Sequence, residues 1–358
     1  KHSVVRNIVA ADINPDAILA LQKETALIKK IKPVVSNLFE NVSGEFDLII
    51  FNPPYLPQDE GIVDPALYGG KEGWELSERF FATVSPHLRN DGVILYLFST
   101  LTNKEKIESI LNEKLFEFEE VASEKLSFET LFVYAIRKST LLRELEKQYL
   151  RDIQYFTKGQ RGMIYTGTQD RSMLVKTHLP SKKNVIKVAV KTQNEASFAI
   201  GRIENEINWM KRLNKEGIGP LYLFSGENYV VYKFVEGEFI LGWITKNGKD
   251  DILTVLNELL RQCYIMDEMQ VNKEEMHHPH KHVLITKEKR VVLLDFERCS
   301  KTDKPKNVTQ CLEFICRMHD ELVAKGLTVN KEELRSLAGE YKDTYDRKIL
   351  QDVMWGLQ

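Results

Sequence analysis

Short apolar runs alternate with amphipathic segments along the first 140 residues, and this alternation predicts strands separated by helices. Strands are expected over 7–12, 46–51, 93–98 and 130–136, and helices over 15–30, 74–88 and 102–114, with Asn103 as an N-cap and a turn at 90–92. Strands separated by helices of this length favour a mostly parallel sheet that is covered on both faces. The pattern therefore predicts an α/β fold for this part of the chain.

The pattern changes after a charged helix that is predicted over 141–151. Residues 152–236 are rich in strand patterns around one helix at 203–213, and residues 237–358 are mainly helical, interrupted by a hairpin pattern at 283–296. We therefore expect a first domain over 1–140, a linker helix over 141–151, and an α+β second domain over 152–358 with two lobes, 152–236 and 237–358. A length of 358 residues fits two domains.

Composition and charge exclude several classes of protein. No apolar run approaches the roughly 18–20 residues of a membrane span. Residues 1–140 carry 15 Lys and Arg against 21 Asp and Glu, a net charge of −6, which is unfavourable for nucleic-acid binding. The four cysteines lie in the last hundred residues without the spacing of a disulfide scaffold, which indicates reduced thiols and a cytoplasmic protein.

The strongest chemical motif of the first domain is Asn52-Pro53-Pro54-Tyr55, which directly follows the strand at 46–51. The Asn52 amide oxygen and the Pro53 carbonyl oxygen can each accept one hydrogen from a substrate –NH2 group. The two prolines restrict the backbone, so the acceptors are oriented before substrate arrives. Tyr55 can stack on a planar amide or a base. The motif predicts catalysis at an amino or amide nitrogen. The alternative is a strand end followed by a purely structural Pro-Pro turn, which would have the same sequence pattern.

Asp12 ends the first predicted strand, in Ala-Asp-Ile-Asn-Pro-Asp. In doubly wound sheets an acidic residue at that point accepts hydrogen bonds from the ribose hydroxyls of a nucleoside cofactor. The alternative is that Asp12 caps the following helix.

These motifs resemble those of the HemK-like glutamine methyltransferases of archaea and eukaryotes. The resemblance is carried by Asp-Ile-Asn-Pro-Asp-Ala at 12–17, Asn-Pro-Pro-Tyr at 52–55, Ala-Leu-Tyr-Gly-Gly-Lys-Glu-Gly at 66–73, Glu-Arg-Phe at 78–80 and Phe-Glu-Thr-Leu at 128–131. It covers residues 1–138 almost continuously. It implies a class I, Rossmann-like fold that uses S-adenosylmethionine to methylate the glutamine of the Gly-Gly-Gln motif in a translation release factor, with a small zinc-ribbon activator protein as partner.

By the same resemblance, Asp12, Ile13, Asn37, Leu38 and Asn52 contact the cofactor. Ser-Asn-Leu-Phe at 36–39 matches the loop that contacts the adenine in this family, with Asn37 where an Asp is commoner. Two further expectations stay open. Asn-Pro-Pro-Tyr also orients the exocyclic amine of adenine in nucleic-acid methyltransferases. No glycine precedes Asp12, so the first strand of the sheet and its glycine-rich turn are expected upstream of Lys1.

The second domain carries a separate set of nucleotide-binding motifs. Gly159 and Gly162 lie at a predicted turn between strands, where backbone N–H groups can cover phosphates. Lys191 ends the strand Val-Ala-Val-Lys, like the V-A-I-K lysine of protein kinases, and Glu206 on the next helix is its predicted partner. Asp295 ends the strand Val-Val-Leu-Leu-Asp, as the magnesium-binding kinase aspartate does. Lys176, Lys187 and Glu204 compete for the lysine and glutamate roles.

Residues 152–320 resemble the atypical, RIO-like protein kinases of archaea. This resemblance implies Mg-ATP binding and a Ser/Thr kinase activity, with Glu275 near the position of the catalytic base and His282 at the position of a metal-binding asparagine. Neither residue matches the usual pattern, and histidine is a poor magnesium ligand. No activation segment follows Glu297.

Four other interpretations of the second half stay open. It would act as an atypical kinase that is the main activity of the chain or as a nucleotide sensor that controls the first half, or both halves would be degenerate scaffolds. A zinc site formed by the histidines at 277–282 with Cys311 and Cys316 is the fourth, and the spacing of those residues is irregular.

Overall fold

The structure is a computed structural model that describes residues 5–59, 61–62, 64–158, 162–173, 185–193 and 202–358. The described residues form two compact units. The first holds residues up to 154 and 170–173; the second holds 155–158, 162–169, 185–193 and 202–358. Where the linker helix was expected, a helix over Thr140–Lys147 is followed directly by a strand that begins at Leu150.

The first unit alternates strands and helices. Its elements are β1 (Ile8–Asp12), α1 (Pro15–Glu24), β2 (Ile31–Val35), β3 (Phe46–Phe51), β4 (Leu56–Pro57), β5 (Tyr68–Gly70), α2 (Glu75–Thr83), β6 (Leu88–Ser99), α3 (Lys104–Glu113), β7 (Phe116–Lys125), β8 (Thr130–Lys138) and α4 (Thr140–Lys147).

The strands of this unit form two main sheets. β1 pairs with β2 in parallel, and a four-stranded sheet has the order β3-β6-β8-β7. In that sheet β3 and β6 are parallel, whereas β8 is antiparallel to both neighbours. The expected α/β fold is present, but its larger sheet is mixed rather than mostly parallel.

Three local predictions are corrected. The first helix ends at Glu24 rather than near residue 30; Thr25 is its C-cap, with a non-helical φ of −101° and ψ of 10°, and its N–H and hydroxyl both donate to the Leu21 carbonyl oxygen. The helix at 74–88 ends at Thr83, a 3₁₀ turn over Ser85–His87 follows, and β6 starts at Leu88. The residues expected to form a turn at 90–92 therefore lie within a strand. Asn103 caps α3 as predicted, with its side chain accepting from the Lys106 N–H.

The second unit contains a strand-rich part and a helical part, as the pattern predicts. The strands β9 (Leu150–Lys158) and β10 (Met163–Asp170) lie in it except for residues 150–154 and Asp170, which belong to the first unit. Its other elements are β11 (Val185–Thr192), α5 (Arg202–Leu213), β12 (Tyr222–Ser225), β13 (Tyr229–Lys233), β14 (Glu238–Phe239), α6 (Ile240–Lys246), α7 (Lys249–Glu268), β15 (Val271–Asn272), β16 (Val283–Ile285), β17 (Val291–Leu293), β18 (Ser300–Lys301), α8 (Asn307–Arg317), α9 (His319–Ala324), α10 (Lys331–Thr344) and α11 (Lys348–Gly356).

A five-stranded sheet of order β12-β13-β11-β10-β9 makes up the first part, and the predicted hairpin is the antiparallel pair β16–β17. The helical part packs around α7, a 20-residue helix whose buried apolar side chains belong to the core and whose neighbours include α8 and α11. All four cysteines are free and buried. Among the described residues, no helix combines the length and the apolarity that a membrane span requires.

A buried polar cluster fixes the start of α8. The Asp267 carboxylate accepts from the backbone N–H groups of Asn307 and Val308, from the Asn307 side chain and from the Tyr341 hydroxyl. These bonds satisfy the first N–H groups of α8, which have no partner within the helix. The sequence pattern did not reveal this cluster, because its members are up to 74 residues apart.

Candidate functional site

The Asn-Pro-Pro-Tyr segment begins immediately after β3, with Asn52 exposed and Pro53 buried. The strand end is held by aromatic packing: the rings of Phe51 and Phe80 stack with centroids 3.9 Å apart. Phe80 lies on α2 and is itself 2% exposed. The asparagine amide therefore projects from a rigid support while staying accessible to a substrate.

Glycines hold the backbone of this segment from the other side. A Cβ atom on Gly69 would lie 2.6 Å from the Pro54 carbonyl oxygen and 2.3 Å from the Gly73 carbonyl oxygen. One on Gly73 would lie 2.6 Å from the Tyr55 carbonyl oxygen, and Gly73 has a φ of +87° that favours glycine. Real Cβ atoms do not approach so closely, so only glycine fits at these positions. The motif at 66–73 is thus the packing surface of the Asn-Pro-Pro-Tyr backbone.

A hydroxyl adds a third support. Thr102 donates from Oγ1 to the Tyr55 carbonyl oxygen over 3.3 Å, and the Leu56 N–H donates to the Leu67 carbonyl oxygen over 3.0 Å. Both contacts fix the chain where it leaves the motif.

Asp12 and Asn37, the predicted cofactor contacts, lie at the carboxyl ends of adjacent strands. The Ser36 N–H donates to the Asp12 carbonyl oxygen over 2.9 Å, which places the two segments side by side. Asn14, not Asp12, caps α1, while Asp12 Oδ1 accepts from the Asn14 N–H. The side chain of Ile13 is 59% exposed.

Arg79 links this edge to the helix behind the Asn-Pro-Pro-Tyr segment. Its guanidinium, on α2, donates to Asn37 Oδ1 over 3.2 Å, and Asn37 in turn donates to Glu40 over 2.9 Å. Leu38 is half-buried and adopts a φ of 50°. In the sequence Arg79 stands out only as part of the Glu-Arg-Phe motif, and its contact with Asn37, 42 positions away, is not visible there.

Tyr55 is half-buried, and burial together with the carboxylate charge of Glu129 raises the pKa of its hydroxyl. Tyr55 therefore stays a neutral ring with an intact O–H group at physiological pH. Glu129 immediately precedes β8, which begins at Thr130. It was not among the predicted site residues.

The second unit brings its predicted residues together. The Lys191 ammonium lies 2.7 Å from Glu206 Oε2, 3.1 Å from Asp295 Oδ1 and 3.9 Å from Glu297 Oε2. Of the two competing glutamates on α5, Glu206 is buried against Lys191 and Glu204 is exposed. Carboxylate oxygens of Glu206, Asp295 and Glu297 lie within 4.8 Å of one another, a donor set suited to a hard cation.

Charge and burial compete in this cluster. Burial alone would lower the pKa of Lys191, but the Glu206 and Asp295 carboxylates raise it above the ordinary lysine value. Burial opposes ionisation of Asp295, yet the Lys191 and Lys273 ammonium groups hold its pKa below the usual range. Lys191 is therefore cationic and Asp295 anionic at neutral pH.

Two further side chains position Asp295 and the residues after it. Lys273 is 2% exposed and donates from Nζ to the Asp295 carbonyl oxygen over 2.5 Å. Asn205 on α5 donates to the carbonyl oxygens of both Glu297 and Cys299, each over 2.9 Å. Neither residue was predicted from the sequence.

Glu275 and His282 form a pair beside Asp295. His282 Nε2 lies 3.0 Å from a Glu275 carboxylate oxygen, and its Nδ1 lies 3.8 Å from Asp295 Oδ2. Arg298 also contacts the Glu275 carboxylate. Among the described residues, His282 does not belong to the converging carboxylate set, in which Glu206 and Glu297 accompany Asp295.

The remaining predictions in this unit have mixed outcomes. Gly162 packs against the end of β11, where an added Cβ would lie 1.8 Å from the Thr192 carbonyl oxygen. Gly159 and Lys176 lie outside the described residues. Lys187 pairs with Glu236 at the surface and not with Glu206. Cys311 and Cys316 are buried on α8, and no described group combines them with the histidines as metal ligands.

Comparison with known proteins assigns the first unit. Residues 1–130 match the methyltransferase small domain. A putative protein N5-glutamine methyltransferase of Methanocaldococcus jannaschii is 41% identical over 135 residues, which are 36% of this chain and 68% of that protein. The human methyltransferase HEMK2 is 33% identical over 142 residues, which are 37% of this chain and 66% of that protein. The chain spans between about a third and two thirds of the curated relatives it matches.

Among solved structures, the chain is similar to the E. cuniculi Mtq2–Trm112 complex, which is responsible for the methylation of the eRF1 translation termination factor. The sequence identity is 19% and the TM-score 0.29, covering 38% of this chain and 86% of that one.

Proposed function

This chain belongs, through residues 1–130, to the HemK-like glutamine methyltransferase family, and on that basis we propose that it transfers a methyl group from S-adenosylmethionine to a glutamine side-chain nitrogen. The observation that carries the proposal is the placement of Asn52-Pro53-Pro54-Tyr55 directly after β3, on a backbone support that only glycines allow.

The chemistry demanded of the protein is activation of a poor nucleophile. An amide nitrogen is unreactive because its lone pair is delocalised into the carbonyl group. Asn52 Oδ1 and the Pro53 carbonyl oxygen each accept one N–H of the substrate amide, which favours the geometry in which that delocalisation is lost. With the cofactor bound, the held nitrogen would take the methyl group as the carbon–sulfur bond breaks with its electron pair going to sulfur, and the proton that the nitrogen loses would pass to water.

The residues of the first unit fit a nucleoside cofactor. Asp12 presents an exposed carboxylate at the end of β1, and Asn37 presents an amide held by Arg79 at the end of β2. The carboxylate suits ribose hydroxyls and the amide suits the adenine edge. S-adenosylmethionine, when bound, supplies the methyl group.

We assign the acceptor as the glutamine of the Gly-Gly-Gln motif in a translation release factor. Relatives named release factor glutamine methyltransferases include one from Aquifex aeolicus that is 37% identical over 99 residues. The net charge of −6 over residues 1–140 favours a protein acceptor over DNA or RNA. A small zinc-ribbon activator is the proposed partner, and the cytoplasm the proposed location.

The test is incubation of the full chain with methyl-labelled S-adenosylmethionine and a release factor, with and without ATP, followed by peptide mass mapping. Methylation of the Gly-Gly-Gln glutamine is expected. Duplex DNA and RNA serve as competing acceptors, and label in adenine instead of glutamine would overturn the assignment.

For the second unit we propose binding of Mg-ATP by a RIO-like fold. One observation favours this proposal: carboxylate oxygens of Glu206 and Asp295 lie 2.7 and 3.1 Å from the Lys191 ammonium. The three residues come from separate parts of the chain. In this arrangement Lys191 would contact phosphate oxygens and Asp295 would hold magnesium. Glu275 is engaged by His282 and Arg298, so we propose nucleotide binding as the main role and Ser/Thr kinase activity as a secondary one.

Thermal unfolding of the full chain tests nucleotide binding. At a hundred times its dissociation constant a ligand stabilises the unit that binds it by roughly 2.7 kcal/mol, which raises the melting temperature by a few degrees. Mg-ATP should produce that rise, and Asp295→Asn should abolish it. An unchanged melting temperature at saturating Mg-ATP would contradict nucleotide binding and would indicate that the second unit is a scaffold.

A further inference from the structure

The end of the β7–β8 hairpin lies beside the Asn-Pro-Pro-Tyr segment. The Leu126 N–H donates to the Glu129 carbonyl oxygen over 2.8 Å and closes the turn. The Thr130 N–H donates to Thr100 Oγ1 over 3.1 Å, and Thr102, two residues further on, donates to the Tyr55 carbonyl oxygen. One short segment, residues 100–102, thus holds both the hairpin end and the predicted catalytic motif.

Glu129 in this turn carries a carboxylate oxygen that is out of contact with solvent and that no donor of the described residues reaches. A carboxylate oxygen withdrawn from water without a donor costs free energy, so such a group calls for an explanation. Burial and the charge of this carboxylate together raise the pKa of the Tyr55 hydroxyl. The preceding residue, Phe128, is 95% exposed.

We infer that Glu129 is a substrate-positioning residue, whose free oxygen accepts a hydrogen bond from a backbone N–H of the polypeptide that carries the acceptor glutamine. This inference rests on the proposed methyl transfer.

Three considerations select this partner. A carboxylate offers only lone pairs, so the partner must be a donor. Both hydrogens of the acceptor amide are already assigned to Asn52 and Pro53, which leaves the backbone of the substrate. A phosphate would be repelled by a buried negative charge, so a polypeptide fits and a nucleic acid does not. The exposed Phe128 ring gives the same polypeptide an apolar surface to cover.

The experiment compares Glu129→Ala and Glu129→Gln with Glu124→Ala, which removes an exposed carboxylate from the same hairpin. The probe is a fluorescein-labelled peptide with blocked ends, centred on Gly-Gly-Gln, and its binding to the full chain is followed by anisotropy. Affinity for S-adenosylmethionine and the melting temperature are measured on the same proteins.

Glu129→Ala should weaken peptide binding about 10- to 100-fold, as expected for loss of a charge-assisted hydrogen bond. Its affinity for S-adenosylmethionine should not change, and its melting temperature should stay equal or rise, since an unpartnered carboxylate is removed. Glu129→Gln, which keeps an acceptor oxygen but loses the charge, should recover part of the binding, and Glu124→Ala should match the parent.

Equal peptide binding by the parent and Glu129→Ala would overturn the inference, as would a lower melting temperature with lost cofactor binding. If Glu129→Gln binds the peptide as weakly as Glu129→Ala does, a backbone N–H is not the partner of Glu129. Failure of the proposed function looks different: the parent then binds the peptide in a Glu129-dependent way but transfers no methyl group. A parent that does not bind the peptide would also overturn the inference.

Discussion

The Lys191 ammonium and the Asp295 carboxylate lie 3.1 Å apart, although 104 positions separate them in the chain. Lys191 comes from β11 and Asp295 follows β17, so this ion pair connects the sheet of the second unit to its hairpin. Glu206 completes the group from α5 with its side chain 3% exposed.

The first prediction concerns this buried charge group. Lys191→Met leaves Glu206 as a fully buried carboxylate without a counter-charge, which should lower the free energy of unfolding by about 3–5 kcal/mol. Adding Glu206→Gln removes that charge, so the double variant should recover most of the loss. Urea unfolding of both proteins measures the difference. A double variant no more stable than Lys191→Met would show that the loss comes from packing instead.

Asn205 supplies a second prediction. It bridges the Glu297 and Cys299 carbonyl oxygens, so Asn205→Ala leaves two partly buried acceptors without their donor. Each such loss costs roughly 1 kcal/mol, and a decrease of about 2 kcal/mol is expected in urea unfolding. Glu204→Ala, an exposed change on the preceding position of α5, is the control and should stay within about 0.5 kcal/mol of the parent.

These contacts show what could be predicted from the sequence. Asn52-Pro53-Pro54-Tyr55 was visible because its chemistry lies in consecutive residues that follow an apolar strand. The choice between Glu204 and Glu206 was not visible, because both lie on one helix and only tertiary packing selects the one that faces Lys191.

β7 is one of the strands that the sequence pattern does not predict, and the reason is similar. β7 was not predicted because eight of its ten residues, Glu117 and all of 119–125, are exposed, so no apolar pattern marks it. Its place is set by pairing with β8, which is a long-range property of the sheet. Asn205, Arg79 and Glu129 were missed likewise, since their roles depend on neighbours distant in sequence.

A third prediction tests the glycine support of the first unit. Gly69→Ala places a Cβ against two carbonyl oxygens and should displace the Pro54 backbone, with methyl transfer falling by roughly 100-fold for a shift of about 1 Å. Gly339→Ala in α10 is the control, because no atom of the described residues lies within 4 Å of its added Cβ. That control should keep full activity and gain slight stability. Initial rates at saturating cofactor make the comparison.

The fourth prediction is a pH dependence of stability. Burial and the Lys273 ammonium lower the pKa of His282, although Asp295 and Glu275 pull it the other way. Because the folded protein binds this proton less readily than the unfolded chain, acidification through the ordinary histidine pKa of about 6.5 should favour unfolding. The free energy of unfolding should therefore fall between pH 7 and pH 5.5, and His282→Asn should reduce that fall. His280→Asn, an exposed change in the same segment, should follow the parent.

The central claim is that Asn52 and its neighbours act on the acceptor amide during methyl transfer, and Asn52→Ala tests it most directly. Turnover on a release factor and the dissociation constant for S-adenosylmethionine are to be measured for the parent and for this variant. We expect the parent to methylate the Gly-Gly-Gln glutamine, and the variant to lose roughly 100-fold or more in kcat while its cofactor affinity changes only slightly. Equal losses of turnover and cofactor affinity, or no methylation of the release factor by the parent, would contradict the account.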